Sequence, residues 1–241
     1  MLNFSNNRSS TFSSSASSVY QDQALRDYMI KVYNMMGIAL AISGLVAFLV
    51  SSSPFLMSAL FRTPLSWVVM FAPIIFVLFF GYKVNAISAQ QAKTYLWIFA
   101  GLMGLSMSTI FVVYAGASIA RVFFISASTF GLMALYGYTT KKDLTAMGSF
   151  LIMGLVGIMI ASLVNIFLQS SAFHFAISAL GVLIFIGLTA YDSQRIKYMY
   201  FQVSGDSESA SKVAVLGALS LYMDFINLFM MMLSLFGERK N

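Results

Sequence analysis

Residues 144–191 read LTAMGSFLIMGLVGIMIASLVNIFLQSSAFHFAISALGVLIFIGLTAY and contain no Asp, Glu, Lys or Arg. As a single helix this run of about 48 residues would extend about 72 Å, at about 1.5 Å per residue. The hydrocarbon core of a bilayer is about 30 Å thick and takes roughly 20 helical residues. The run is therefore two spans, parted at Gln169-Ser170-Ser171, and they are placed at 146–168 and 173–193.

Charges delimit the remaining spans. Lys31 and Arg62 bracket 32–52, which ends at the Ser51-Ser52-Ser53-Pro54 turn. Arg62 and Lys83 bracket 64–82, where Pro73 predicts a kink. Lys93 and Arg121 bracket 94–115, and Arg121 and Lys141 bracket 121–139. The last span, 213–236, is interrupted only by Asp224. The expected fold class is an all-α integral membrane protein, a seven-helix bundle over 26–237. Residues 1–25 are expected to form a disordered, Ser-rich cytosolic tail with little to bury. They are no secretory signal, because the first apolar block starts near Val32 and is too long for an h-region.

Composition agrees. Hydrophobic residues make up 59% and charged residues 9%, with mean hydropathy +0.84. Soluble domains run nearer about 45–50% apolar and about 25% charged. A soluble enzyme, a coiled coil and a disordered chain are excluded. The lack of cysteine excludes disulfides, thiolate metal sites and a Cys nucleophile. A net charge of +6 would point to nucleic acid in a soluble chain. Here no nucleic-acid partner is expected: the bilayer is the partner, and basic loop residues set the orientation. Arg26, Lys31, Lys83, Lys93, Lys141, Lys142, Arg195, Lys197 and Lys212 fall on one side, against Arg62, Arg121, Arg239 and Lys240 on the other. The positive-inside rule puts the N-terminus in the cytosol and the C-terminus outside. In a bacterium the membrane is the inner one.

No HExxH, Gly-rich phosphate loop, GxSxG or metal-ligand cluster occurs, and no resident cofactor is expected. A retinal protein needs a Schiff-base lysine in the last helix, and 213–236 has none. The lone histidine, His174, reads as a solvated helix end. Gly101/Gly104 and Gly154/Gly157 read as sites of close helix approach. The exceptions are Asp192 and Asp224. A carboxylate at membrane depth costs about 2.5–3.5 kcal/mol on insertion scales and faces the bundle interior or a water cavity. Asp224 lies about eleven residues into its span, roughly 16 Å deep. Asp192 lies near the cytosolic end, where a plain ion pair with Arg195 is the simpler explanation.

Neighbouring polar residues form helical stripes: Ser220, Asp224, Asn227 and Ser234; Thr189, Asp192 and Arg195; Ser162, Asn165 and Gln169. They either line a pathway or act as interhelical hydrogen-bond glue, worth about 0.6 kcal/mol per contact. Two buried carboxylates in one site cannot both ionise cheaply, so they titrate as a unit in two steps. With one of those steps near neutral pH, such a pair becomes a proton-read latch between the last two helices.

Lys141-Lys142-Asp143-Leu144, Asn165-Ile166-Phe167, Tyr191-Asp192 and the block Ser220-Leu221-Tyr222-Met223-Asp224-Phe225-Ile226-Asn227-Leu228-Phe229 resemble the Bax inhibitor family, in its bacterial type. The resemblance implies seven helices with the last one central. It implies a pH-sensitive calcium leak in several members, read by an aspartate pair that maps onto Asp192 and Asp224. Calcium would be a permeant ion, bound weakly and transiently by those two. Eukaryotic members restrain cell death from endoplasmic reticulum or Golgi membranes. Two features depart from the pattern. The basic latch residue of helix two is missing from 65–82, leaving Lys83 as the nearest candidate, and 101–116 lacks the Gly-Pro pair of helix three.

Three functions follow. The first is a proton-gated calcium leak through Asp192 and Asp224, with Lys83, Asn165, Arg195, Ser220 and Asn227 as latch or pathway partners. The second is inhibition of a membrane protease or death factor by contact. The third is an intramembrane aspartyl protease: Tyr191-Asp192 fits one half of that motif, but Leu221-Tyr222-Met223-Asp224 lacks the glycines of the other. No catalytic role is assigned.

Overall fold

Charged residues end the apolar windows of this chain but not its helices. The computed structural model describes the backbone of residues 6–84 and 86–240, and the side chains of 22–84 and 86–240. Among the described residues the helices are α1 (Asn6–Ser51), α2 (Pro54–Phe61), α3 (Leu65–Lys83), α4 (Ala89–Met107), α5 (Ile110–Val113), α6 (Gly116–Thr139), α7 (Thr145–Leu168), α8 (Ser171–Val203) and α9 (Ser207–Phe236). Seven segments are long and apolar enough to cross a membrane, with α4 and α5 sharing one of them. Of the expected tail, residues 1–5 lie outside the described residues. From Asn6 the backbone is helical and continuous with the first span.

The loop expected between the last two spans shrinks to Ser204-Gly205-Asp206, so α8 and α9 form a hairpin of 33- and 30-residue helices. Two features extend them. Ile196 is buried on the inner face beyond the apolar window of its span, and Ala214 and Val215 are buried at the start of the next. Asp206 caps α9, accepting the N–H of Glu208 at 3.1 Å and of Ser209 at 3.2 Å. The Ser209 hydroxyl and then these N–H groups hold its carboxyl below the usual range. The Thr145 hydroxyl and N–H do the same for Asp143 ahead of α7. Arg121, expected at a span boundary, stands inside α6 and pairs with Glu238 at 3.3 Å.

The last helix is the core. It packs against α1, α4, α6 and α8, while α3 packs on α4 and α7 on α8. Of its most apolar window 67% is buried, against 11–33% for the other six spans. α9 is thus caged by four helices, with α3 and α7 as outer members. α3 runs through Pro73 as one helix.

Backbone contact sets two of the helix crossings. A Cβ at Gly104 would lie 2.6 Å from the Ser43 carbonyl oxygen of α1, and a Cβ at Gly137 would collide with the Ala190 carbonyl of α8. Of the glycines expected to permit close approach, Gly104 meets backbone and Gly154 meets the Ile184 side chain, but Gly101 and Gly157 face open space. Gly137 carries no pairing pattern and was not distinguishable by spacing.

At the lysine-rich end the hairpin is tied to its neighbours by polar bonds. Gln194 is nearly fully buried. Its Oε1 accepts the Leu144 N–H at 2.9 Å, and its Nε2 donates to the Lys142 carbonyl at 2.7 Å, fixing the start of α7. Lys197 donates to the Tyr138 carbonyl at the end of α6. Glu208 accepts the Ala89 N–H at the start of α4, a carboxylate where the helix dipole favours one. Gln194→Leu is expected to strand these buried groups and cost about 1–3 kcal/mol. A lowered melting temperature in detergent would report it.

Candidate functional site

The register of the α8–α9 hairpin locates the two aspartates. Ser178 and Ser234 hydroxyls are 2.9 Å apart, Gly181 faces Met231, and Gly217 faces Ile196. Continued along the hairpin, this register sets Asp192 opposite Ser220 and Asp224 about one turn deeper from the connecting turn. The Ser220 hydroxyl indeed faces the Asp192 carboxyl. Both acids are buried, with Asp192 8% and Asp224 6% exposed.

Arg195, one turn along α8, donates from Nη1 to Asp192 Oδ1 at 3.4 Å. Its own side chain is 47% exposed, so the guanidinium lies at the rim with one edge on the buried acid. Among the described residues, the charged side chains that act on Asp224 are Asp192 and Arg195. Asp224 Oδ2 is buried with no hydrogen-bond partner among the described residues. Leaving a buried acceptor unmet costs about 1–3 kcal/mol, and more for a charged one. Such an oxygen is satisfied by a proton, a water molecule or a cation.

A second polar node stands two residues away. The Ser43 hydroxyl is 2.7 Å from both the Ala100 carbonyl of α4 and the Tyr222 hydroxyl of α9. Ser43 has one proton, which the Ala100 carbonyl accepts, so Tyr222 donates to Ser43. The node pins α1 and α4 to the helix that carries Asp224. Tyr33 of α1 donates to Ser193, the neighbour of Asp192, at 3.3 Å. Sequence reasoning missed both contacts; the one signal was a hydroxyl at each of these positions.

The other expected partners are dispersed. Lys83 is exposed and sits 5.7 Å over the Phe79 ring, on a helix that packs on α2 and α4. The cation beside the acids is therefore Arg195 and not Lys83, because the latter's helix lies outside the α8–α9 hairpin. Asn165 accepts the Ser170 N–H at the far end of α7, where it closes the helix C-terminus. Asn227 donates to the Met223 carbonyl of its own helix at 2.8 Å. Ser234 bonds Ser178 and, at 2.8 Å, His174 Nε2, at the end of the hairpin away from the acids. Ser220 alone of the expected hydroxyl and amide partners reaches the pair.

Among the described residues no cluster of three His, Cys, Asp or Glu side chains could hold a metal ion. Two carboxylates offer at most four oxygens, whereas calcium takes about six to eight. Water and Ser220 would have to complete any coordination.

Seven spans, six of them arranged around the seventh, with an acidic pair in the seam between the last two, define a polytopic α-helical membrane protein. Residues 25–241 match the family model described as inhibitor of apoptosis-promoting Bax1, and the chain belongs to that family. It is 45% identical over 220 residues to an uncharacterized protein of Rickettsia prowazekii, covering 91% of this chain and 93% of that one. It is 41% identical over 226 residues to the inner membrane protein YbhL of Escherichia coli K12, covering 92% and 97%. An uncharacterized protein of Caulobacter vibrioides is 44% identical over 228 residues, covering 91% of each.

Proposed function

We propose that this multi-pass membrane protein is a pH-sensitive calcium leak, gated by protonation of Asp192 and Asp224. The observation that carries it is Asp224: a buried carboxylate with an unmet oxygen, beside a second acid and a single rim cation. At higher pH the pair ionises, attracts cations and loosens the seam through like-charge repulsion. At lower pH protonation removes that repulsion and the seam closes. Calcium and protons are the ligands, Arg195 and Ser220 the neighbours that position the pair, and no catalysis is involved. The N-terminus faces the cytosol, the C-terminus faces out, and the membrane is the bacterial inner membrane.

The test is calcium entry into liposomes holding the purified protein, measured from about pH 5 to pH 8. Flux rising with pH above that of empty liposomes is expected. Flux equal to that of empty liposomes at every pH would overturn the proposal.

A second reading, inhibition of another membrane protein by contact, is favoured by the description of the matched family as an inhibitor. A partner that co-purifies equally with the wild type and with Asp224→Asn would support it.

A further inference from the structure

α1 and α6 both pack on α9, and between them runs a cleft with two cavities in line. The first, about 290 Å³, lies between the C-terminal half of α1 and the N-terminal half of α6, with Phe225 and Phe229 of α9 as its floor. The second, about 420 Å³, lies between the middle of α1, from Arg26 to Gly37, and the C-terminal half of α6. Because the two helices are antiparallel, one cavity falls in each half of the membrane-spanning region. Exposed side chains of Phe124, Ile30 and Leu135 at the margins show that both open sideways, toward lipid.

The walls are hydrocarbon and aromatic carbon, with few polar atoms. An apolar cavity gives water no hydrogen-bond partners and stays dry. A helix of a second protein is about 10–12 Å across with its side chains, too thick for such a slot. An acyl chain is slim, apolar and already present at the mouth.

Basic residues flank each cavity. Ala120 lines the first, and Arg121 follows it in α6. Lys240 donates from Nζ to the carbonyl of Phe111, another lining residue, at 2.7 Å. Arg239 stands between Glu238 and Lys240, paired by backbone with Tyr114. Glu238 is the one acid in this group, and its pairing with Arg121 is exposed on both sides, so a phosphate can compete for the guanidinium. Arg26 lines the second cavity directly. Apolar slots flanked by cations match a phospholipid with a negative headgroup.

We propose that the α1–α6 cleft binds the acyl chains of anionic phospholipids, one from each leaflet, with their phosphates at Arg121 and Lys240 in one and at Arg26 in the other. Neither the ion pathway nor the aspartate pair enters into this.

Native mass spectrometry of the delipidated full-length protein, titrated with dioleoyl phosphatidylglycerol or with dioleoyl phosphatidylcholine, tests it. A Cβ at Gly44, in the first cavity, or at Gly37, in the second, meets nothing within 4 Å, so a leucine side chain starts into either slot without a clash at its first carbon and narrows it. The wild type is expected to retain two phosphatidylglycerols, Gly44→Leu and Gly37→Leu one each, and the double variant none. Arg121→Gln, a surface change that leaves both cavities intact, is expected to weaken the phosphatidylglycerol preference about fivefold. Equal retention by the wild type and the double variant, equal retention of the two lipids by the wild type, or lipid-free dimerisation through the cleft would each overturn the assignment.

Discussion

Asp224→Asn is expected to remove most of the pH-dependent component of calcium flux while leaving the fold intact. Asparagine keeps the size and polarity of aspartate but cannot change charge. Below its titration midpoint a carboxylate loses about tenfold in ionised fraction per pH unit. A leak that needs the ion therefore falls steeply as pH drops, and a leak past the neutral amide of the variant cannot follow that curve. The flux is expected to go flat across the range, at a low level because the cation-attracting charge is gone. Stability should not fall, since the substitution replaces a buried carboxylate whose Oδ2 lacks a partner. An unchanged or raised melting temperature in detergent would separate lost conduction from lost structure.

The pair adds a sharper criterion. If Asp192 and Asp224 titrate as one unit, Asp192→Asn should also flatten the profile, and the double variant should differ little from either single one. Additive losses would mean two independent acids. Identical flux for wild type and Asp224→Asn at every pH would exclude the acid pair as the gate.

How far the sequence reveals this molecule depends on which force decides each feature. The spans were legible because lipid demands about 20 apolar residues in a row, and 144–191 satisfies that twice. The helix ends were not. Residues 194–212 are charged, but charge on a helix that emerges into water carries little penalty, and Asp206 supplies the cap that starts α9. The acids were legible because carboxylates at membrane depth are costly. Their partners were legible only where sequence distance is short: Arg195 is three residues from Asp192, and Ser220 follows from hairpin register. Spacing fixes the face of a helix on which a side chain lies, not the neighbour that face meets. Lys83 and Asn165 therefore fell elsewhere, and the Ser43–Tyr222 bond, between residues 179 positions apart, had no local signature.

Helix spacing offers a second large effect, and it depends on a backbone contact that no side-chain pattern announces. Gly137 and Gly131 lie in the same helix, α6, and differ only in what stands before them. A Cβ at Gly137 would run into the carbonyl carbon and oxygen of Ala190, whereas a Cβ at Gly131 meets nothing within 4 Å. Gly137→Ala thus forces α6 from α8 along their whole interface, because neither partner in the collision is a side chain that can rotate away. Overpacking typically costs about 1–3 kcal/mol, and a rigid backbone on both sides puts this case at the upper end. For a chain of this length about 3 kcal/mol lowers the melting temperature by roughly 6–12 °C. Gly131→Ala should be neutral or slightly stabilising, since alanine is favoured over glycine inside a helix by up to about 1 kcal/mol. The same one-carbon addition is therefore expected to act with opposite sign at two positions in one helix. Separation of α6 from α8 would also displace Ala190 and, two residues on, Asp192. Gly137→Ala protein that still folds is accordingly expected to show an altered pH profile of flux, whereas Gly131→Ala is not. Equal melting temperatures for the two variants would mean that α6 and α8 do not meet through their backbones.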